Sequence, residues 1–162
     1  MHRRFIAPRY FRGFLGWTLT LLAGLLLATA SSFAGATLTA NGELKIPKNE
    51  ITADAKFYQY KVDGVLIEVL ALRAPDGTIR TALNTCQICY ASGRGYYTQK
   101  GDVLVCNNCG NRFKASQVEL IKGGCNPVPI TKEWKTEDAD FIYIPKTLFV
   151  EAKPLFFNWK KR

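Results

Sequence analysis

Lys56-Phe57-Tyr58-Gln59-Tyr60-Lys61-Val62, the pair Asp63-Gly64, and Val65-Leu66-Ile67-Glu68-Val69-Leu70-Ala71-Leu72-Arg73 decide the fold class. Residues 56–62 alternate around aromatic side chains, and a period of two sends every second residue to the same face of an extended chain. Asp-Gly supplies the two left-handed positions of a tight hairpin turn. The segment after it is apolar, includes β-branched residues, and reads as the return strand. A second turn, Ala74-Pro75-Asp76-Gly77, leads into Thr78-Ile79-Arg80-Thr81-Ala82-Leu83. These residues predict a three-stranded antiparallel meander and a mainly β domain.

The end of that meander delivers Cys86. Four of the five cysteines form two CxxC pairs, Cys86-Gln87-Ile88-Cys89 and Cys106-Asn107-Asn108-Cys109, with 16 residues between them. Each pair can close a turn that points two sulfurs at one spot. The intervening stretch predicts a hairpin: Gly95-Tyr96-Tyr97-Thr98-Gln99, the turn Lys100-Gly101-Asp102, then Val103-Leu104-Val105. Cys86, Cys89, Cys106 and Cys109 are therefore the candidate metal ligands. Convergent thiolates suit zinc, a mononuclear iron or an iron-sulfur cluster, because soft sulfur selects soft metals.

The fifth cysteine lies in Gly123-Gly124-Cys125-Asn126-Pro127-Val128-Pro129. Two glycines permit close backbone approach, and the prolines stiffen the chain beyond the cysteine. Cys125 reads as a cofactor-contacting residue on a lid over the site; an ordinary turn carrying an unpaired thiol is the alternative. Farther on, Asp140 to Ile144 predicts a strand and Lys146 to Ala152 a short helix after Pro145. Tyr58, Tyr60, Tyr96, Tyr97, Phe113, Phe141 and Tyr143 are expected in the core, and Tyr96, Tyr97 and Phe113 also adjoin the cysteine pairs and can shield a metal from water.

The N-terminal residues point outward from the cytoplasm. Arg3, Arg4, Arg9 and Arg12 precede a stretch with no charge from Gly13 to Gly42, whose apolar core, Phe14 through Ala30, holds seven leucines. Residues 1–36 read as a signal peptide or as an apolar helix anchoring the chain to the membrane, and in either case the arginines stay inside and the remainder is exported. Residues 37–162 suffice for one small domain. The four arginines of the leader leave that domain 18 Lys and Arg against 13 Asp and Glu, a net charge of +5, with no basic run except Lys160-Lys161-Arg162. Dispersed charge does not favour nucleic acid as a partner. Arg94, Lys100, Arg112 and Lys114 flank the cysteine pairs and can offset the charge of bound thiolates.

The sole histidine is His2, so the exported domain can build no Ser-His-Asp or Cys-His nucleophile, no mixed Cys/His zinc site and no histidine-ligated cluster. The carboxylates are scattered and no phosphate-binding glycine string is present. Cysteine is the only specialised chemistry. Its rival use is thiol–disulfide exchange, which outside the cytoplasm is chemically open. That use wants a helix N-terminus to lower one thiol's pKa, and the Gly- and Asn-rich residues after each pair do not read as helical. A structural zinc module uses the same residues without redox change.

In order, Cys-x-x-Cys, Gly95-Tyr96, Gly101-Asp102-x-x-x-Cys106-x-x-Cys109-Gly110-x-x-Phe113 and Gly123-Gly124-Cys125-Asn126-Pro127-x-Pro129 resemble the FtrD-like membrane iron-sulfur family, over most of residues 43–157. The resemblance implies an exported or membrane-held domain that passes electrons during iron transport, with an inner-membrane iron permease or another redox protein as partner. It also implies an Asp two residues before the first cysteine, where this chain has Asn84; that alters a hydrogen bond near the site without removing a ligand. At the level of architecture alone, the two knuckles and the proline loop are similar to the cluster lobe of Rieske proteins and to zinc ribbons, with cysteines where Rieske proteins carry histidines.

Overall fold

The meander forms, and a second layer on each of its faces makes the domain. The structure, a computed structural model, describes residues 35–161; the apolar leader and its expected helix lie outside them. Among the described residues no helix is long and apolar enough to cross a membrane. Eleven strands occur in chain order: β1 (Thr37–Leu38), β2 (Leu44–Pro47), β3 (Lys56–Val62), β4 (Val65–Arg73), β5 (Ile79–Cys86), β6 (Tyr97–Lys100), β7 (Val103–Cys106), β8 (Arg112–Lys114), β9 (Pro127–Pro129), β10 (Thr136–Glu137) and β11 (Phe141–Ile144). Among the described residues one α-helix, α1 (Lys146–Ala152), comes after β11 and runs into a 3-10 turn at Lys153–Phe156.

The strands make three antiparallel sheets, ordered β1-β2-β11-β10, β3-β4-β5-β9 and β6-β7-β8. The hairpin β3–β4 turns at Asp63 and Gly64, whose φ values of 47° and 80° are those an Asp-Gly pair tolerates. Val62 faces Val65 across the turn and Lys56 faces Ala71 at the far end.

β4 is the centre of the molecule. Ile67, Val69 and Ala71 enter one core with Tyr58, Tyr60, Ile142, Ile144 and Phe149. Leu70 and Leu72 enter a second core with Cys86, Tyr97, Leu104, Cys106 and Phe113. A strand covered on both faces needs apolar residues at consecutive positions, which is why residues 69–72 show no polar alternation. In the first core Tyr60 stacks on Phe149 with ring centroids 3.9 Å apart, and Phe149 is fully buried. Burying one such side chain is worth about 1.5–3 kcal/mol. The second core includes two of the cysteines and is where the candidate site sits.

The expectations need some corrections. Strand β5 runs three residues past Leu83 to Cys86, and a 3-10 turn at Tyr90–Ser92 comes after Cys89. Phe141 and Tyr143 are only half-buried; Ile142 and Ile144 are the core residues of β11. Lys45 lies 3.7 Å above the Phe141 ring and the Tyr143 hydroxyl bonds Asp138 at 2.8 Å, which suits the wetter face of the strand. Tyr96 is also half-buried.

Candidate metal centre

Two similar knuckles grow from two strand ends. Cys86 closes β5, and its amide bonds the Gly95 carbonyl at 2.6 Å, so the chain returns to its own start after eight intervening residues. Cys106 closes β7; its amide bonds the Asn111 carbonyl at 2.9 Å and its carbonyl accepts the Gly110 amide at 2.9 Å. Gly110, at φ 74°, takes the left-handed conformation that this return requires. The Asn107 side chain and amide both bond the Tyr96 carbonyl, at 2.8 and 2.9 Å, fastening the second knuckle to the strand that comes after the first.

The knuckles match in their polar detail. Backbone amides of Ile88 and Cys89 face the Cys86 sulfur, the latter at 3.2 Å, and those of Asn108 and Cys109 face the Cys106 sulfur. Amides directed at sulfur favour the thiolate over the thiol.

The Gly123–Gly124 loop brings in the fifth cysteine. Gln87 grips it on one side, accepting from the Gly123 amide at 3.0 Å and donating from its amide nitrogens to Asn126 and Pro127 carbonyls at 3.1 and 3.2 Å. Asn111 holds the other side through the Cys125 carbonyl at 2.7 Å. The Cys125 sulfur consequently lies 3.1 Å from Cys86, 3.8 Å from Cys89 and 2.7 Å from Cys109. All five thiols are free.

Cys86, Cys89, Cys106 and Cys125 have sulfurs within 4.8 Å of one another. This tightest set differs from the four grouped by sequence spacing: Cys125 is in it, and Cys109, in contact with Cys125, is at its exposed edge. Four thiolates at about 2.3 Å from one ion stand about 3.7 Å apart. The all-sulfur donor set, its spacing and the amides aimed at Cys86 and Cys106 fit a thiolate-bound metal. Cys86 and Cys106 are buried, Cys89 and Cys125 half-buried, so the site has a closed inner side and an open rim.

The thiols do not share one acidity. Burial pushes Cys89 up to about 11 and also raises Cys106 and Cys125. Burial opposes ionisation of Cys86 too, but its neighbours, first Cys125, then Tyr97 and the knuckle amides, outweigh it and lower its pKa. Contact with Cys125, then the Asn111 amide, brings Cys109 down to about 7. A cation arriving at the rim thus meets the Cys109 thiol first, and its charge drives the protons from those behind it.

Behind the knuckles lies a network that spacing gave no reason to expect. Asn84 is buried; its side-chain oxygen accepts the Tyr97 amide at 2.8 Å and its amide donates to Glu68 at 2.7 Å. Glu68 also meets Lys160 at 3.2 Å, and the Trp159 indole donates to the Asn84 carbonyl at 2.8 Å. Asn rather than Asp at 84 is explained by this pairing: a carboxylate has no donor for Glu68 and would place two acids side by side, whereas the amide serves both neighbours. Asn84→Ala leaves a buried amide and a buried carboxylate short of a partner and should destabilise the fold by about 1–3 kcal/mol. Chemical denaturation measures this; an unchanged midpoint contradicts the network's role. Arg94, Lys100, Arg112 and Lys114 are exposed and form no ion pair among the described residues.

Comparison with known proteins gives one match. The family model described as "Membrane iron-sulfur containing protein FtrD-like" covers residues 50–156, well over half of the chain and all five cysteines. No curated protein and no solved structure matches.

Proposed function

The chain belongs to the FtrD-like family of membrane iron-sulfur containing proteins, and from that premise we propose that it is an exported, membrane-associated electron carrier whose thiolates hold iron and which serves iron transport. The observation that carries this reading is the convergence of four sulfurs within 4.8 Å, three from the two matched knuckles and Cys125 from the glycine loop. That spacing favours a single ion over a cluster, which sets its cysteine sulfurs farther apart. Iron on thiolates supplies a one-electron couple.

The protein's own residues do the rest. The two knuckles fix the ligand directions, the second core keeps water from the inner side, and the exposed rim at Cys109 is the side from which an electron partner approaches. An inner-membrane iron permease or an associated redox protein is the partner this reading calls for, on the outer face of the membrane. The apolar leader with its preceding arginines supports that placement.

The test uses full-length protein purified from its native membranes without air. Iron at one centre per chain, visible absorption and reversible bleaching by dithionite are the expected results, because iron–thiolate charge transfer absorbs visible light and d10 zinc does not. Zinc at full occupancy with no iron overturns electron transfer.

A second reading, thiol–disulfide exchange, draws on one contact. The exposed Cys109 thiol, at about 7, lies 2.7 Å from Cys125. Oxidation there would form the Cys109–Cys125 bond and release two electrons and two protons to a disulfide or quinone acceptor. Metal-free protein carrying that disulfide would select this reading.

A further inference from the structure

Tyr97 is 2% exposed, and its hydroxyl meets no hydrogen-bond partner among the described residues. The register of β6 on β7 sets Tyr97 opposite Cys106, so both side chains leave the sheet on the same face. That face packs into the core that contains Cys86, with Cys89 and Cys125 against it. Both sides of the Tyr97 peptide are tied to Asn84: its amide donates to Asn84 at 2.8 Å and its carbonyl accepts from Asn84 at 3.5 Å. The ring therefore cannot turn its hydroxyl to water.

Phenylalanine would fill this volume without an unmet polar atom, as Phe113 does in the same core. A hydroxyl held here makes sense if its acceptor is sulfur. A thiol is a weak acceptor, whereas a metal-bound thiolate is a strong one. The phenol keeps its proton at neutral pH and can donate, and Cys86 leads the sulfurs that neighbour it, ahead of Cys125 and Cys106.

We propose that Tyr97 is a positioning residue for the centre: its hydroxyl donates to the Cys86 thiolate and raises the reduction potential of the metal bound there. This rests on the iron–thiolate reading above. Reduction adds one electron, which increases the negative charge on the ligand sulfurs. A donor directed at sulfur stabilises that state more than the oxidised one, so its presence favours reduction.

Midpoint potentials of the iron-loaded, full-length protein test the assignment. Tyr97→Phe should lower the potential by about 59 mV, a tenfold change in the one-electron reduction equilibrium, while iron content stays at the wild-type level. Site-specific 3,5-difluorotyrosine at position 97, a stronger donor of nearly the same shape, should raise it. Tyr58→Phe is the control, since it removes another buried, unpartnered hydroxyl from the core on the opposite face of β4, and it should leave the potential unchanged. An unchanged potential in Tyr97→Phe, or equal shifts in Tyr97→Phe and Tyr58→Phe, overturns the role of Tyr97 alone. If Tyr97→Phe does not load iron, the difluorotyrosine variant decides: no upward shift overturns the assignment. A zinc-loaded, colourless wild type overturns the electron-carrier reading and this one with it.

Discussion

Cys106→Ser loses most of the bound metal. Its sulfur is buried, belongs to the tightest set of four and is the one that the second knuckle's amides face. Outer-shell partners of a metal cost roughly 10- to 100-fold in affinity when removed, and replacing a ligand that the knuckle is folded around should exceed that range. Serine keeps the volume and removes the thiolate, so the loss reads ligation and not packing. Metal analysis after anaerobic purification measures it. Full occupancy in Cys106→Ser sinks the shared centre. The companion variants rank the last ligand: if the centre uses the tightest set, Cys125→Ser loses more metal than Cys109→Ser, and the reverse order assigns ligation to Cys109.

Gly95→Ala should be the most damaging single methyl group in the domain. A Cβ there would fall on the Cys89 carbonyl and within 2.7 Å of the Tyr90 amide nitrogen. Both are backbone atoms of the first knuckle, so no flexible side chain can move aside. Gly95 also supplies the carbonyl that receives the Cys86 amide. Relief of the clash has to open that bond and displace Cys86 or Cys89. A cost of about 3 kcal/mol, at the upper end for overpacking a rigid site, should accompany a loss of metal. Denaturant titration and metal content together check this, and wild-type values for both would show that the knuckle has slack the structure does not suggest.

How far the sequence disclosed the molecule depended on repetition of a pattern. Residues 56–73 alternate long enough, around a turn with its own chemistry, that β3 and β4 are read at their true bounds. The helix after Pro145 is similarly visible. Strands β1, β8 and β10 are two or three residues long, too short for any period to show, and Arg112-Phe113-Lys114 looks like a solvated loop. β9 is Pro127-Val128-Pro129, and two prolines argue against a strand; it is admitted because it pairs on one side only, as the edge next to β5. The cysteines announced the site by spacing. Gln87, Asn111 and Asn84, which hold the loop and the knuckles in place, are isolated polar residues whose side-chain partners lie up to 40 positions away, so nothing local marks them. The promotion of Cys125 from lid to member of the tightest set is likewise a matter of where a loop lands.

Residues near the end of the described chain reach back to the first knuckle. Asn158 donates to the Ala91 carbonyl at 2.7 Å, Trp159 donates to the Asn84 carbonyl, and a Cβ on Gly93 would strike the Lys161 carbonyl. A chain that is made from its N-terminus therefore presents Cys86 and Cys89 to solvent well before residues 158–161 arrive to brace them. During that interval the thiols are open to oxidants and to the wrong ions, so the knuckle made first depends for its closure on chain made later.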